Sequence, residues 1–329
     1  MTKENLTKKA LITGMGGQDG SYLAEHLLSM GYEVHGLFRS KALHDPKEKL
    51  KNIESIIDCV DIHYASLENN KNMLKLIKQI KPDECYHLAS SSFVSYEFDD
   101  EATLLKNNFI ATHSLLAAIK ENCPTCKVYF AGSSEMFGDA RTSPQNEMTS
   151  FNPRSVYGIS KLAAFHLARN YREHHDLYVS AGILYNHESI RRGPQFVTRK
   201  ITQSVAKIYH GKESHVELGD IDSKRDWGYA PDYVRAMYLM LQQDLPEDYV
   251  IATGQVRSVR DFLRTAFEVI GEDYKKYVKI NKDYFRPTEV INLCGDSSKA
   301  QDKLGWKPTK NFEEFVVEMV QNDIEIIKK

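Results

Sequence analysis

Residues Ala10-Leu-Ile-Thr-Gly-Met-Gly-Gly-Gln-Asp-Gly20 join a short apolar run to a helical pattern and put Gly14, Gly17 and Gly20 at the junction, with Gln18 and Asp19 inside the turn. Glycine lets the backbone turn sharply and approach a phosphate with no Cβ in the way. A helix opening just after the turn, near Ser21, aims its unpaired N–H groups and the positive end of its dipole at the same anion. Strand, glycine turn and helix together predict a cradle for the pyrophosphate of a dinucleotide.

Further apolar runs near residues 33–38, 60–64, 84–88, 128–133 and 179–185 alternate with amphipathic helical spacing. Strands separated by helices pair in parallel, so the expected class is α/β, a Rossmann-type doubly wound sheet with a smaller mixed α/β C-terminal substrate lobe. Residues 1–186, with a returning segment near 229–258, are expected to form the dinucleotide unit, and 187–329 mainly the substrate lobe. In the helical stretch Tyr233 to Gln243, Val234, Met237, Tyr238 and Leu241 recur at core spacing. The turn Gly305-Trp-Lys-Pro308 leads into a final helix.

The 329 residues carry a formal charge of only −2, which gives no electrostatic footprint for nucleic acid or an anionic membrane. The amino-terminal residues are polar, and no apolar stretch approaches the ~20 residues of a membrane helix; a cytoplasmic protein is expected. Five scattered cysteines suggest neither a disulfide framework nor a zinc site, and Cys123-Pro-Thr-Cys126 reads as two free thiols in a loop. The twelve histidines show no metal-ligand spacing, and no metal is expected.

The end of the second strand selects the cofactor. A carboxylate there would bond both adenosine ribose hydroxyls, whereas an arginine pairs with a 2'-phosphate. The run Glu33-Val-His-Gly-Leu-Phe38 is followed by Arg39, which points to NADP. Farther on, Ser155-Val-Tyr-Gly-Ile-Ser-Lys161 places Tyr157 and Lys161 on one helix face. A phenol is a poor base at neutral pH, but an adjacent ammonium and a nicotinamide cation favour the phenolate, which can take a hydroxyl proton as hydride leaves the same carbon.

With these motifs the chain resembles the extended short-chain dehydrogenase/reductases and, within them, the GDP-mannose 4,6-dehydratases. The resemblance runs nearly end to end, through Thr13-Gly-Met-Gly-Gly-Gln-Asp-Gly20, Ser134-Glu-Met-Phe-Gly138, Pro153-Arg-Ser-Val-Tyr157, Asn186-His-Glu-Ser189, Lys224-Arg-Asp-Trp-Gly228 and Phe285-Arg-Pro-Thr-Glu-Val290. It implies that Tyr157, tuned by Lys161, removes the C4 hydroxyl proton while NADP takes the C4 hydride. Ser133 would bond the C4 oxygen. Glu135 would then take the C5 proton and pass it to the departing C6 hydroxyl, and the hydride returns to C6, giving a 4-keto-6-deoxy sugar. The resemblance also assigns Ser66, Leu67, Leu88, Ala89, Ser90, His187 and Arg192 to the cofactor. Ser91 and Ser134 fall to the sugar, Asn186, Arg225 and Arg286 to the diphosphate region, and Lys200 and Glu289 to the guanine side.

Three departures stand out. Ala65-Ser66-Leu67 replaces the family's Gly-Asp-Leu, so the adenine amino group meets a hydroxyl in place of a carboxylate. Ser91-Ser92-Phe93 replaces Gln-Ser-His, and small side chains at Ser90 and Ser91 leave room for a GDP-manno-heptose as well as GDP-mannose. The loop after Arg39 differs from the basic, serine-rich loop of the family's tetramers, so a homodimer or a homotetramer is expected. The rival readings are a GDP-sugar C4 oxidase or epimerase of the same fold, and a non-catalytic NADP-sensing regulator that would need none of Tyr157, Lys161 and Glu135.

Overall fold

The computed structural model describes residues 7–39, 45–90, 98–285 and 293–328. Six strands, β1 (Lys9–Thr13), β2 (Glu33–Phe38), β3 (Asp61–Tyr64), β4 (Glu84–His87), β5 (Lys127–Ser133) and β6 (Val179–Leu184), fall where the apolar runs predict them. The helices between them are α1 (Gln18–Ser29), α2 (Pro46–Leu50), α3 (Asn70–Ile80), α4 (Phe98–Leu105), α5 (Ala111–Asn122) and α6 (Val156–His174). Then follow β7 (Asn186–Glu188), α7 (Val197–Tyr209), β8 (Val216–Leu218), β9 (Lys224–Tyr229), α8 (Ala230–Leu241), β10 (Asp248–Ile251), β11 (Val256–Ser258), α9 (Val259–Glu268), β12 (Val278–Ile280), α10 (Ser298–Leu304) and α11 (Phe312–Lys328).

Seven strands form one sheet in the order β10-β6-β5-β4-β1-β2-β3. Every neighbouring pair in it is parallel. Such strands are buried on both faces, which is why they read in sequence as apolar runs. The fold is the expected doubly wound sheet. β10 joins as an edge strand after a long excursion, held to α6 by the forked pair of Arg172 with Asp248 at 2.7 and 2.9 Å.

A second apolar core lies under β8, β9, α7, α9 and α11, built on Ile201, Trp227, Phe262, Phe267 and Phe315. Buried Arg199 reaches Asp323 of α11 at 2.6 Å, and Thr202 bonds the other carboxylate oxygen. The chain then returns: Leu293, Ala300, Leu304 and Trp306 pack into the first core with α8 and β10. Trp306 Nε1 donates to the Asp232 carbonyl at 2.7 Å, while the Asp232 carboxylate accepts from Thr309 N and Oγ1. All five cysteines are free thiols. Among the described residues no helix is long and apolar enough to cross a membrane.

Asp226 on β9 is the node between these returns. Its buried carboxylate accepts from Thr253 Oγ1 at 2.6 Å, from Thr253 N and Gly254 N at 2.9 Å, and from Gly295 N at 3.3 Å. Asp226→Ala removes the acceptor of three backbone donors and a hydroxyl, that of Gly295 in a buried setting, so a loss of about 3 kcal/mol is expected in urea unfolding, with Asp226→Asn losing less.

Candidate active site

The carboxyl ends of β1 and β4 meet where the strand order reverses, the place where open α/β sheets bind their ligands. Gly14 leaves β1 at φ +77°, and a Cβ there would stand 3.0 Å from the backbone of Ala89 just beyond β4. A Cβ on Gly20 would stand 2.5 Å from the Gly14 carbonyl oxygen. Only hydrogen fits at these two points, so the turn lies tight against the first turn of α1. That helix begins at Gln18, three residues ahead of the expected Ser21, with Gly17 as an N-cap that offers no side-chain hydrogen bond. Its first N–H groups are left for another acceptor.

The earlier start puts Asp19 in the first turn, where its carboxylate meets His187 Nε2 at 2.9 Å. His187 Nδ1 faces the Tyr185 carbonyl at 2.7 Å. Both partners only accept, so the ring donates from both nitrogens as an imidazolium. Burial opposes that charge, but Asp19 outweighs it and raises the His187 pKa, while burial of Asp19 is outweighed in turn and its pKa is lowered. Gln18 completes the clasp, donating to the His187 carbonyl at 3.1 Å and accepting from Ser189 Oγ at 2.8 Å. His187, assigned by resemblance to the cofactor, thus uses both ring nitrogens to hold α1 against β7. Arg192 lies 3.1 Å from the buried Glu188 carboxylate and stacks on Phe196.

Ser155 caps α6 by accepting from Gly158 N at 3.0 Å, which sets Tyr157 in the first turn and Lys161 in the next. β5 ends at Ser133, whose hydroxyl accepts from Glu135 N at 3.2 Å and starts a single 3-10 turn, Ser134–Met136. The two elements touch at Gly158, where a Cβ would lie 2.5 Å from the Glu135 carbonyl oxygen. Tyr157 and Glu135 are thereby neighbours. Burial pushes the Tyr157 phenol up to about 12, the Ser133 hydroxyl draws it down, and the charge of Glu135 adds to the rise. Lys161 is buried, which lowers its ammonium to about 8, and Nζ donates to the Ala131 carbonyl at 2.9 Å.

A chain of neutral hydrogen bonds, not anticipated from sequence, joins the β4 loop to α6. Ala89 N donates to Thr13 Oγ1 at 3.1 Å, and Thr13 Oγ1 lies 2.9 Å from His87 Nδ1. His87 Nε2 lies 3.0 Å from Thr112 Oγ1, which donates to the Asn108 carbonyl at 2.6 Å. Since the Thr112 proton is committed, His87 carries its own on Nε2. Burial, helped by the Lys161 charge, drops the His87 pKa to about 3, so the ring is neutral. Asn108, set in a π-helical turn over Lys106–Ile110, accepts from Ser90 Oγ and donates to Ser160 Oγ, which donates to the Tyr157 carbonyl.

Beyond the carboxyl ends of β2 and β3, Arg39 is exposed directly after β2 and Leu67 is buried. The expected substitution of a hydroxyl for a carboxylate is only half of the picture: Ser66 Oγ donates to the Glu68 carboxylate. Burial raises Glu68, but Ser66 and the charges of Arg39 and Lys106 bring it below its usual range. Glu68, two residues past the family position, was missed because the motif is read in register. On the other side, Asn186 opens β7, paired with Trp227, and Arg225 lies on β9. Lys200 Nζ sits 4.6 Å over the Tyr284 ring, and Ser134 is buried. Leu88 N bonds the Thr13 carbonyl at 3.3 Å. Ser91, Arg286 and Glu289 lie outside the described residues.

The Lys161 value carries a sign. An unfolded lysine keeps its proton to about pH 10.4, so between about 8 and that point the unfolded chain binds a proton that the folded chain has released, and stability rises with pH. Denaturant unfolding at pH 7.5 and 10 is expected to show wild-type protein gaining about 2 kcal/mol relative to Lys161→Met over this window. An equal pH response of the two would remove the buried cation from the account.

A sequence profile described as GDP-mannose 4,6 dehydratase matches residues 11–319. The GDP-mannose 4,6 dehydratase of Cricetulus griseus is 46% identical, with 98% of this chain and 92% of that protein aligned. GDP-mannose 4,6 dehydratase 1 of Arabidopsis thaliana is also 46% identical, over 98% of this chain and 91% of its own length. Among solved structures, the dTDP-glucose 4,6-dehydratase of Bacillus anthracis, in complex with NAD, superposes with a TM-score of 0.85 over 98% of both chains at 21% identity, a likeness of fold. The glycine cradle at the switch point, the Tyr157 helix and the Glu135 turn therefore stand in a chain that belongs to the GDP-mannose 4,6 dehydratase family.

Proposed function

We propose that this protein is an NADP-dependent lyase that converts GDP-mannose to its 4-keto-6-deoxy derivative. The observation that carries the reading is the contact at Gly158, which sets the Glu135 turn against the first turn of α6, within reach of the Tyr157 phenol for the Glu135 charge to raise its pKa. A C4 oxidase or epimerase needs the phenol alone, and a regulator needs neither.

The residues fit a dinucleotide. Gly14 and Gly20 leave no Cβ in the turn, and α1 presents uncapped N–H groups there. Gly17, Gln18 and Asp19 would frame the pyrophosphate, Arg39 would take the 2'-phosphate, Ser66 and Leu67 the adenine, and Leu88, Ala89, Ser90 and Lys161 the nicotinamide ribose side, with His187 and Arg192 behind them. A bound nicotinamide supplies the hydride acceptor for C4 and the donor for C6.

Tyr157 takes the C4 hydroxyl proton, with Ser133 donating to the same oxygen. The resulting ketone acidifies C5–H. Glu135 removes that proton and delivers it to the C6 hydroxyl, which leaves as water. Asn186, Arg225 and Arg286 would hold the diphosphate, Lys200 and Glu289 the guanine, and Ser91 and Ser134 the sugar. The residue division 1–186 with 229–258 for the dinucleotide, and 187–329 mainly for the sugar nucleotide, belongs to the same proposal.

Mass spectrometry of products formed in heavy water tests it. Wild-type protein is expected to remove one water and introduce deuterium at C5 of GDP-mannose, with GDP-manno-heptose in a parallel arm to sort the two sugars. Glu135→Gln is expected to slow elimination by at least about 100-fold while C4 oxidation continues, and Tyr157→Phe to slow both. Oxidation without water loss in the wild type would make the protein a C4 oxidase. Arg39→Ala is expected to weaken NADP about tenfold and leave NAD unchanged in fluorescence titrations, because only the former has the phosphate that Arg39 would meet.

A further inference from the structure

Glu188 ends β7 with only 1% of its surface exposed, and no step of the proposed reaction uses it. Side chains alternate along a strand, so Asn186 and Glu188 lie on one face of β7 and His187, which holds α1, lies on the other. Burial pushes the Glu188 carboxyl up, against the charge of Arg192 and the hydroxyl of Thr198. A carboxylate this deep persists where its charge has a partner.

Two groups converge on one of its oxygens. Thr198 Oγ1, in the first turn of α7, donates to Oε2 at 2.6 Å, and Arg192 Nε lies 3.1 Å from the same atom. The Arg192 guanidinium also covers the Phe196 ring, with Cζ 3.6 Å from the centroid, and Arg192 N bonds the Ser189 carbonyl at 3.0 Å. The plane of the guanidinium is thus fixed while its donors stay open: Nε is buried with no aligned acceptor, and its terminal nitrogens make no hydrogen bond among the described residues. Arg191 is the contrast. Its two terminal nitrogens are engaged by Ser21 Oγ at 3.1 Å and Glu25 Oε1 at 2.6 Å, which ties this segment to α1. A guanidinium 15% exposed with an open fork suits an anion that arrives from outside the chain, since paired N–H groups match phosphate oxygens. After burial and nearer partners, the Arg192 charge also draws down the Asp19, His187 and Tyr157 groups, so the fork lies within reach of both the glycine turn and the phenol.

We propose that Glu188 is a positioning residue: with Thr198 and Phe196 it holds Arg192 so that the guanidinium fork meets the pyrophosphate of a dinucleotide lying along the glycine turn. The inference rests on the dinucleotide reading above and adds to it a carboxylate that touches no ligand. Glu188 suits the task in two ways. It stands at the Nε side of the guanidinium, which leaves the terminal pair for the anion, and its charge keeps a buried cation tolerable when no dinucleotide is bound.

Calorimetric titration of cofactor-stripped protein with NADP, NAD and GDP tests this without turnover. Glu188→Gln keeps the shape of the side chain and removes its charge; it is expected to weaken NADP and NAD alike, about tenfold, and to leave GDP unchanged. That parity sets it apart from Arg39→Ala, which is expected to spare NAD. Arg192→Met is expected to weaken both dinucleotides at least as much, and Glu188→Gln added to Arg192→Met to change affinity by less than about twofold, because a residue that acts through Arg192 then has nothing to act on. Where circular dichroism shows Glu188→Gln to be unfolded, Thr198→Val carries the comparison, with both dinucleotides expected to weaken about threefold and no further loss over Arg192→Met. Full affinity in a folded Glu188→Gln, a loss of GDP binding in place of dinucleotide binding, or a penalty that adds in full to that of Arg192→Met would overturn the inference alone. Wild-type protein that binds neither dinucleotide would overturn the dinucleotide reading and the inference with it.

Discussion

The proposed acid/base site rests on a contact that contains no side chain. α6 approaches the turn after β5 so closely that position 158 has room for hydrogen alone against the Glu135 carbonyl. This contact sets the first turn of the Tyr157 helix against the strand-end turn that carries Glu135, two residues 22 apart in the chain. Everything else at the site adjusts to that spacing: Ser133 caps the turn, Ser155 caps the helix, and Lys161 anchors the second helical turn to the strand through Ala131. A backbone contact of this kind is stiff, because neither partner has a rotamer to change.

The buried Tyr157 phenol stays protonated on its own, and the groups that surround it pull in opposite directions. The hydrogen-bond chain from Ala89 to the Tyr157 carbonyl is neutral throughout, because His87 cannot charge in its dry setting. It therefore transmits position without adding charge to the site. Beside the glycine turn, charge is instead balanced within the pair of Asp19 and His187, from α1 and β7, whose mutual bond offsets the desolvation of both.

Much of the frame is legible in the amino-acid sequence because parallel strands buried on both faces leave apolar runs, and because glycine turns and Tyr-x-x-x-Lys spacing are local patterns. The start of α1 came three residues early for a reason equally local, the extended Gly17. What escaped is what no local period encodes. Glu68 acts through a neighbour's hydroxyl, one position outside the motif. Asn108 sits in a π turn that breaks helical spacing. Asp226 and Asp232 read as ordinary loop and helix-start carboxylates, yet each gathers donors from segments that are 27 to 77 residues away. Pairings between sequence-distant groups leave no trace in either partner alone.

The return of residues 293–306 into the first core has a bearing on how the chain is made. A polypeptide emerging from the ribosome has completed β1 to β6 long before Trp306 appears, and until then the face of α8 and the flank of β10 that it covers stay open to water. The seven-stranded unit therefore does not finish its core as an amino-terminal piece during synthesis: a segment far downstream of β6 completes it, and until that segment arrives an apolar face is open to association.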